Sequence, residues 1–388
     1  MSNGSPEGRP PSGYEPLKNQ FGPEIPRRIG RMIADVYPPF AERAFVRDAL
    51  RGYEELELTP RGWHIARALR SHLPEHYPDA AAILVSSLGE RATGELTGMG
   101  SFVYMPHAFF VAEYGLDHLE ESLEAQYEIT QRFTAEFSIR PFLVGHRDAT
   151  LARLQEWTTD PSMHVRRLVS EGTRPRLPWA PVLREFVTDP SPVVALLELL
   201  KDDPALYVRR SVANNLNDIS KDHPDTTVEV CKRWMGGATP ERAWLVKHAL
   251  RTLIKRGNPG ALAVLGFGGV ATVSLDDVAV TPRSPRIGES ARVEFTVTND
   301  GPRRAALLVD LRVHFVKARG DTSAKVFKLT TVQLDPGEST RIGKRIALHQ
   351  QSTRTHHEGL HEMEVLVNGT PLPLGSFDLR PPEGARRT

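Results

Sequence analysis

Residues 162–181 read SMHVRRLVSEGTRPRLPWAP, and residues 207–225 read YVRRSVANNLNDISKDHPD. Val165-Arg166-Arg167 of the first stretch returns as Val208-Arg209-Arg210 of the second, 43 residues later, and Leu245 takes the valine's place 37 residues further on. Apolar residues recur around each at three- and four-residue spacing, the signature of a helix with one buried face. A period near 40 in helical sequence points to paired helices of the HEAT type.

The alignment puts Arg167, Arg210 and Lys247 at one repeat position, and Glu171, Asn214 and Arg251 at another four residues on. Residues i and i+4 share a helix face. Stacked repeats therefore line up basic and hydrogen-bonding groups along one side, and the concave side of a helical solenoid is a natural extended binding surface. A ladder of cations suits a run of phosphates. Periodicity alone allows equally an exposed salt-bridge network such as Arg167–Glu171.

Working outward, Asp160-Pro161, Asp189-Pro190 and Asp203-Pro204 fall between apolar helical segments and read as turns within antiparallel helix pairs. The segments they separate are Asp148–Trp157, the Val165 register, Pro178–Val187, Val193–Leu200 and Tyr207–Ile219. Thr226–Met235 and Ala243–Ile254 continue the pattern. Upstream, helical periodicity covers Ile25–Leu50 with a break at Pro38-Pro39, then Trp63–Leu73, Pro78–Leu88, Phe109–Tyr114, Leu116–Thr130 and Glu136–Phe142; residues 89–106 are rich in turn formers. Residues 1–20, rich in Gly, Pro and Ser, are expected to be disordered.

Beyond residue 272 the period changes from 3.6 to two. Val273–Val280, Ala291–Thr298, Leu307–Lys317, Lys325–Val332, Thr340–Leu348, Gly359–Val367 and Leu374–Leu379 read as strands, with turns at Asn299-Asp300-Gly301, Asp335-Pro336-Gly337 and Asn368-Gly369. Seven strands in about 110 residues fit an immunoglobulin-like sandwich. The expected organisation is multi-domain, an all-α HEAT-like repeat solenoid followed by an all-β immunoglobulin-like sandwich. Its bounds are a disordered segment over 1–20, the solenoid over 21–260, a linker over 261–272, the sandwich over 273–380 and a flexible tail over 381–388.

The single cysteine, Cys231, excludes a disulfide framework and a thiolate metal cluster, and a reduced, cytoplasmic setting is the simplest expectation. Neither a signal peptide nor a membrane-length apolar run is visible. With 49 basic and 48 acidic side chains, global charge announces no nucleic-acid partner; only the local arginine clusters do. No phosphate-loop or dinucleotide motif occurs. His356, His357 and His361 form the one histidine cluster, and a surface loop fits them better than a metal site. Ser220, Asp222 and His223 crowd one helix end, too close for a catalytic triad. No cofactor and no metal is expected.

Three carboxylates accompany the basic stretch: Glu136, Glu171 and Asp218. An acid beside a phosphate-binding surface costs electrostatic energy unless it serves something cationic. It either orients an arginine or faces a positively charged ligand or transition state, with Trp179 able to supply an apolar face beside it. Arg166, Arg174, Arg209 and Arg210 are candidate phosphate contacts, though one arginine of each pair can instead brace the helices.

These stretches, with YEITQRFTAEFSIRPFL at 127–143, make the chain similar to bacterial DNA alkylation repair glycosylases of the AlkC group, relatives of the HEAT-repeat AlkD enzymes. The resemblance covers about residues 20–260, and the C-terminal sandwich looks like the immunoglobulin-like domain of one branch of the group. It implies a monofunctional enzyme that hydrolyses the N-glycosidic bond of 3-methyladenine and 3-methylcytosine in duplex DNA without flipping the nucleotide. It also implies that Glu136, Glu171 and Asp218 lie near the lesion's sugar, with Trp179 packed on the deoxyribose and Arg167 close by. Glu171 is expected to lead, with the other two assisting. The implied partner is alkylated double-stranded DNA, bound by a monomer in the bacterial cytoplasm. Lys247, Arg354, His356 and His357 join the DNA-binding candidates, and the sandwich either grips the DNA through the exposed loops at 320–323 and 353–359 or serves as a packing module. Two rival readings remain: a DNA-binding repeat protein without catalysis, and a protein-interaction scaffold.

Overall fold

The computed structural model describes residues 16–268, 272–350 and 355–382. The chain divides into two compact units, Glu15–Ala249 and the region from Leu250 onward.

The first unit is all helical. It holds α1 (Glu24–Val36), α2 (Glu42–Ala49), α3 (Leu58–His72), α4 (Tyr77–Ser86), α5 (Met105–Tyr114), α6 (Leu119–Thr130) and α7 (Arg140–Gly145). It continues with α8 (Arg147–Trp157), α9 (Met163–Gly172), α10 (Arg184–Thr188), α11 (Ser191–Leu200), α12 (Leu206–Ile219), α13 (Pro224–Met235) and α14 (Pro240–Ala249). The repeat is real: α12 packs between α9 and α14, burying Val165, Val208 and Leu245 completely. Removing each such side chain from water contributes roughly 1.5–3 kcal/mol.

The Asp-Pro turns work through the aspartate. Asp160, Asp189 and Asp203 each accept a hydrogen bond from the backbone N–H two residues on, at 2.7, 3.0 and 2.8 Å, which folds the chain into the start of α9, α11 and α12. Arg166 and Arg209 then return to these turns. Arg166 Nη1 donates to the carbonyls of Asp160 and Pro161, and Arg209 Nη1 to those of Asp203 and Pro204. Arg166 is also paired with the buried Asp203 at 2.6 Å. The first arginine of each Val-Arg-Arg is thus a brace, the alternative role expected for one arginine of each pair.

Two expected helices and the expected disordered start differ. Glu136 lies in a turn, and α7 begins only at Arg140. The segment expected as a helix over Pro178–Val187 is irregular until Arg184. Prolines 175, 178 and 181 lack the N–H groups a helix needs there, and Arg140 takes up the freed carbonyls of Gly172, Arg174 and Pro181 at 3.0, 2.8 and 2.6 Å. At the N-terminus, Leu17–Gln20 forms a 3-10 turn within the segment expected to be disordered, tied down by Arg61 Nη1 on the Lys18 carbonyl at 2.7 Å.

The second unit begins with α15 (Arg251–Lys255) and α16 (Pro259–Val264). The latter falls where a linker was expected to start. Asn258 caps it by accepting from Ala261 N at 2.9 Å, and Ala261 and Leu262 are buried. Seven strands follow: β1 (Val273–Thr281), β2 (Ser290–Asn299), β3 (Ala305–Val316), β4 (Thr322–Leu334), β5 (Ser339–Ala347), β6 (Gly359–Val367) and β7 (Thr370–Leu379). They form antiparallel sheets of order β1-β2-β5 and β4-β3-β6-β7. Val293, Phe295 and Val297 of one sheet and Val309, Leu311 and Val313 of the other fill a common core. Gly257 and Gly369 both adopt positive φ where α15 meets the β6–β7 turn; a Cβ on Gly369 would lie 2.7 Å from Gly257 Cα. No described helix is long and apolar enough to cross a membrane.

Candidate active site

Glu136, Arg167, Glu171, Arg174 and Asp218 form one connected cluster. Arg167 Nη2 donates to Glu136 Oε2 at 3.0 Å and stands 3.8 Å from Glu171 Oε1. Arg174 bridges the other two acids, with Nη1 on Glu171 Oε1 at 2.6 Å and Nε on Asp218 Oδ2 at 2.7 Å. Lys221 closes the chain on Asp218 Oδ1 at 2.7 Å. These side chains come from the turn before α7, from the end of α9 and the segment after it, and from the end of α12. The α9–α12 contact is what assembles them.

Burial and charge balance one another here. Burial alone would push the Glu171 carboxyl up; the guanidinium groups of Arg167 and Arg174 and the Ser211 hydroxyl outweigh it and hold Glu171 below its ordinary value. Burial likewise works against the charge on Arg167 and Arg174, but their acid partners keep both above the usual arginine range. Arg140, tied to carbonyls and facing the charge of Arg174, is pushed down to about 10, chiefly by burial. Arg174, offered as a phosphate contact, is a buried ion-pair partner, and Arg167 is a half-buried one at the cavity's edge.

The three acids differ in what remains to them. Both Glu171 oxygens are engaged, Oε2 by Ser211 Oγ at 2.5 Å. Asp218 has a basic donor on each oxygen. Glu136 Oε2 takes Thr134 and Arg167, while Oε1 accepts no hydrogen bond from a described residue. Glu136 also lines a cavity of about 760 Å³ in the first unit, together with Arg167, Trp179, Tyr207 and an apolar wall that includes Trp63 and Phe109. Glu171 and Asp218 stand behind that lining. Trp179 sits at the mouth, 79% exposed, in the left-handed backbone region at φ 65°. A non-glycine residue held there is strained, and strain persists where the surroundings impose it.

Of the remaining expected residues, Arg210 is half-exposed and paired with Glu95 at 3.2 Å, and Lys247 is exposed on α14. Arg354 lies outside the described residues. His356 is buried against Phe315, ring centroids 5.3 Å apart, so it is no surface contact; His357 is half-buried. His361 stacks on Phe377, accepts from Val316 N at Nδ1 and contacts the His357 carbonyl through Nε2, which engages both ring nitrogens within the sandwich.

Four participants were missed in the sequence. Tyr207 lays its ring on the Arg167 guanidinium, 4.8 Å from Cζ to centroid. Thr134 holds both Glu136 and Arg167. Ser211 secures Glu171, and Arg140 secures the loop carrying Trp179. Tyr207 and Ser211 flank the second Val-Arg-Arg at helical spacing from the acid ladder, a signal that could have raised them; Thr134 and Arg140 lie in a turn and at a helix start, where periodicity is silent.

A helical repeat with a buried ion-pair cluster behind an apolar cavity, joined to an immunoglobulin-like unit, defines the class of protein. Comparison with known proteins narrows it. Residues 274–381 match the family described as the C-terminal Ig-like domain of the uncharacterised protein YhaZ. The chain is 37% identical to YhaZ of Bacillus subtilis over 355 residues, 91% of this chain and 96% of that one. It also superposes on the Pseudomonas fluorescens alkylpurine DNA glycosylase AlkC, solved bound to DNA containing an abasic site analog, with TM-score 0.86 and 37% identity over 94% of this chain and all of that one. The chain belongs to the AlkC family of bacterial DNA-alkylation-repair glycosylases, in the branch with a C-terminal immunoglobulin-like domain.

Proposed function

We propose that this protein is a monofunctional DNA glycosylase that hydrolyses the N-glycosidic bond of cationic N3-alkylated bases, 3-methyladenine and 3-methylcytosine, in duplex DNA without base flipping, and so begins base excision repair. One observation carries the reading: Glu136, whose Oε1 accepts no hydrogen bond from a described residue, lines a cavity shared with the exposed Trp179 and is backed by two further buried acids.

An N3-alkylated base is positively charged and departs neutral, so it needs little acid assistance. Positive charge moves to the sugar as an oxocarbenium ion, and a fixed carboxylate stabilises that ion more than the ground state. Glu136 Oε1 is suited to face the sugar and the attacking water, with Trp179 packed on the deoxyribose. Glu171, expected to lead, fits better as the charge that fixes Arg167 and Arg174, with Asp218 completing the balance. That division keeps all three acids in the reaction while moving the contact with the sugar to Glu136. The exposed segment at 320–323 of the sandwich, where the β3–β4 turn enters β4, would grip DNA as a clamp, and the protein would act as a monomer in the cytoplasm.

The test is release of 3-methyladenine and 3-methylcytosine from alkylated duplex DNA by the purified chain. Release of free base supports the reading; DNA binding with no release would leave a non-catalytic repeat protein instead.

A further inference from the structure

The residue before each aligned Val or Leu is aromatic: His164 on α9, Tyr207 on α12 and Trp244 on α14. The residue three further on is cationic: Arg167, Arg210 and Lys247. Positions three apart share a helix face. An aromatic row and a cationic row thus run side by side across the three packed helices. Exposure rises along both. His164 is buried and meets Tyr207 edge to face at 5.7 Å; Tyr207 is half-buried over Arg167; Trp244 is 39% exposed. Arg167 is half-buried in the cluster, Arg210 is half-exposed and Lys247 is exposed.

At the outer end the pair is built for contact. The Trp244 indole lies parallel to the His248 imidazole, centroids 5.2 Å apart and planes 6° apart, and His248 Nε2 meets Asn214 Oδ1 of α12 at 3.2 Å. A tryptophan backed by a ring and anchored to the neighbouring helix is a rigid platform with one side in water. Nothing in the ion-pair cluster uses it.

We infer that Trp244, with His248 behind it and Lys247 beside it, is a second contact surface for the same DNA strand, taking the sugar and phosphate of a nucleotide flanking the lesion; this rests on the reading of the first unit as DNA-binding. An aromatic face takes deoxyribose or a base, and the adjacent ammonium takes phosphate. Neighbouring helices pack about 8–10 Å apart, so α14 stands one such step beyond the Tyr207 end of the row. At about 3.4 Å rise per nucleotide that is roughly three positions along the strand.

The experiment is titration of a labelled duplex carrying a tetrahydrofuran abasic analogue at fixed salt. Trp244→Leu should raise Kd roughly fivefold to a hundredfold, the range for loss of one stacking contact, while Trp244→Phe retains most of the affinity. Lys247→Gln, exposed and without risk to folding, should reduce the salt slope by about one. Ending the duplex two base pairs from the analogue on one of its two sides should erase the Trp244→Leu penalty. Affinities of Trp244→Leu and Lys247→Gln within twofold of wild type, or a Trp244→Leu penalty that survives truncation on both sides, would overturn the inference. Base release by wild type is scored separately, so a binding surface without catalysis is told apart from catalysis without this surface.

Discussion

Ser211 Oγ lies 2.5 Å from Glu171 Oε2, and Ser170 Oγ lies 2.7 Å from Ser211 Oγ. A carboxylate held ionised can only accept, so the one Ser211 proton goes to Glu171 and Ser170 must donate to Ser211. The α9–α12 contact thereby fixes Glu171, and Glu171 fixes the two arginines between the other acids.

Removing that hydroxyl should therefore act through charge. Ser211→Ala removes one of the groups holding the Glu171 carboxyl down, so that carboxyl moves up. A depressed carboxyl contributes stability that is present above its unfolded value and lost as pH falls through its folded value. The stability gap between wild type and Ser211→Ala, about 1.5–3 kcal/mol at neutral pH for a hydrogen bond to a charged group, should narrow on acidification. Urea unfolding at several pH values measures it, and Ser211→Thr, which keeps the hydroxyl, should behave as wild type.

The two arginines of Val165-Arg166-Arg167 should separate cleanly. Arg166→Ala strands the buried Asp203 and should cost about 3–5 kcal/mol, while the salt dependence of DNA binding by the folded fraction stays unchanged. Unfolding curves and binding titrations on one preparation test both halves.

Arg140 satisfies three carbonyls of the segment that presents Trp179. Arg140→Met should leave them unpaired at about 1–3 kcal/mol each. Trp179 should then become more mobile, read as a drop in its fluorescence anisotropy in a variant whose other tryptophans are replaced by phenylalanine.

Asp310 of β3 is buried, and burial raises its carboxyl against the pull of Lys328 and the Leu329 N–H. A raised carboxyl binds more protons folded than unfolded, so its effect on stability worsens as pH rises through its ordinary value toward its folded one. Asp310→Asn should flatten that part of the pH dependence for the C-terminal unit, measured by calorimetry between pH 4 and pH 8.

How much of this was legible follows from what repeats. Val165, Val208 and Leu245 mark the stacked helices because burial imposes their spacing, and the strands showed themselves by alternation for the same reason. Which arginine of each pair faces the cluster was not legible. Arg166 and Arg167 are adjacent, and only the backbone path of the Asp160 turn decides that the first returns to its own carbonyls. The Trp179 loop reads as a helix because its prolines resemble helix starts, and the donor to its carbonyls, Arg140, lies about forty residues away. The three acids were legible as a group, but their division of labour depends on Thr134, Ser211 and Lys221, whose side chains follow no period.

The central claim is that this buried acid cluster breaks the glycosidic bond. Single-turnover release of 3-methyladenine from alkylated duplex DNA by wild type, Glu136→Gln and Glu171→Gln tests it most directly, with binding to the abasic-analogue duplex measured alongside. Wild type should release base. Glu136→Gln should lose at least about a hundredfold in rate, of the order seen when one electrostatic stabiliser is removed, with binding preserved, and Glu171→Gln should lose rate as well. Release by both variants at the wild-type rate would contradict the account.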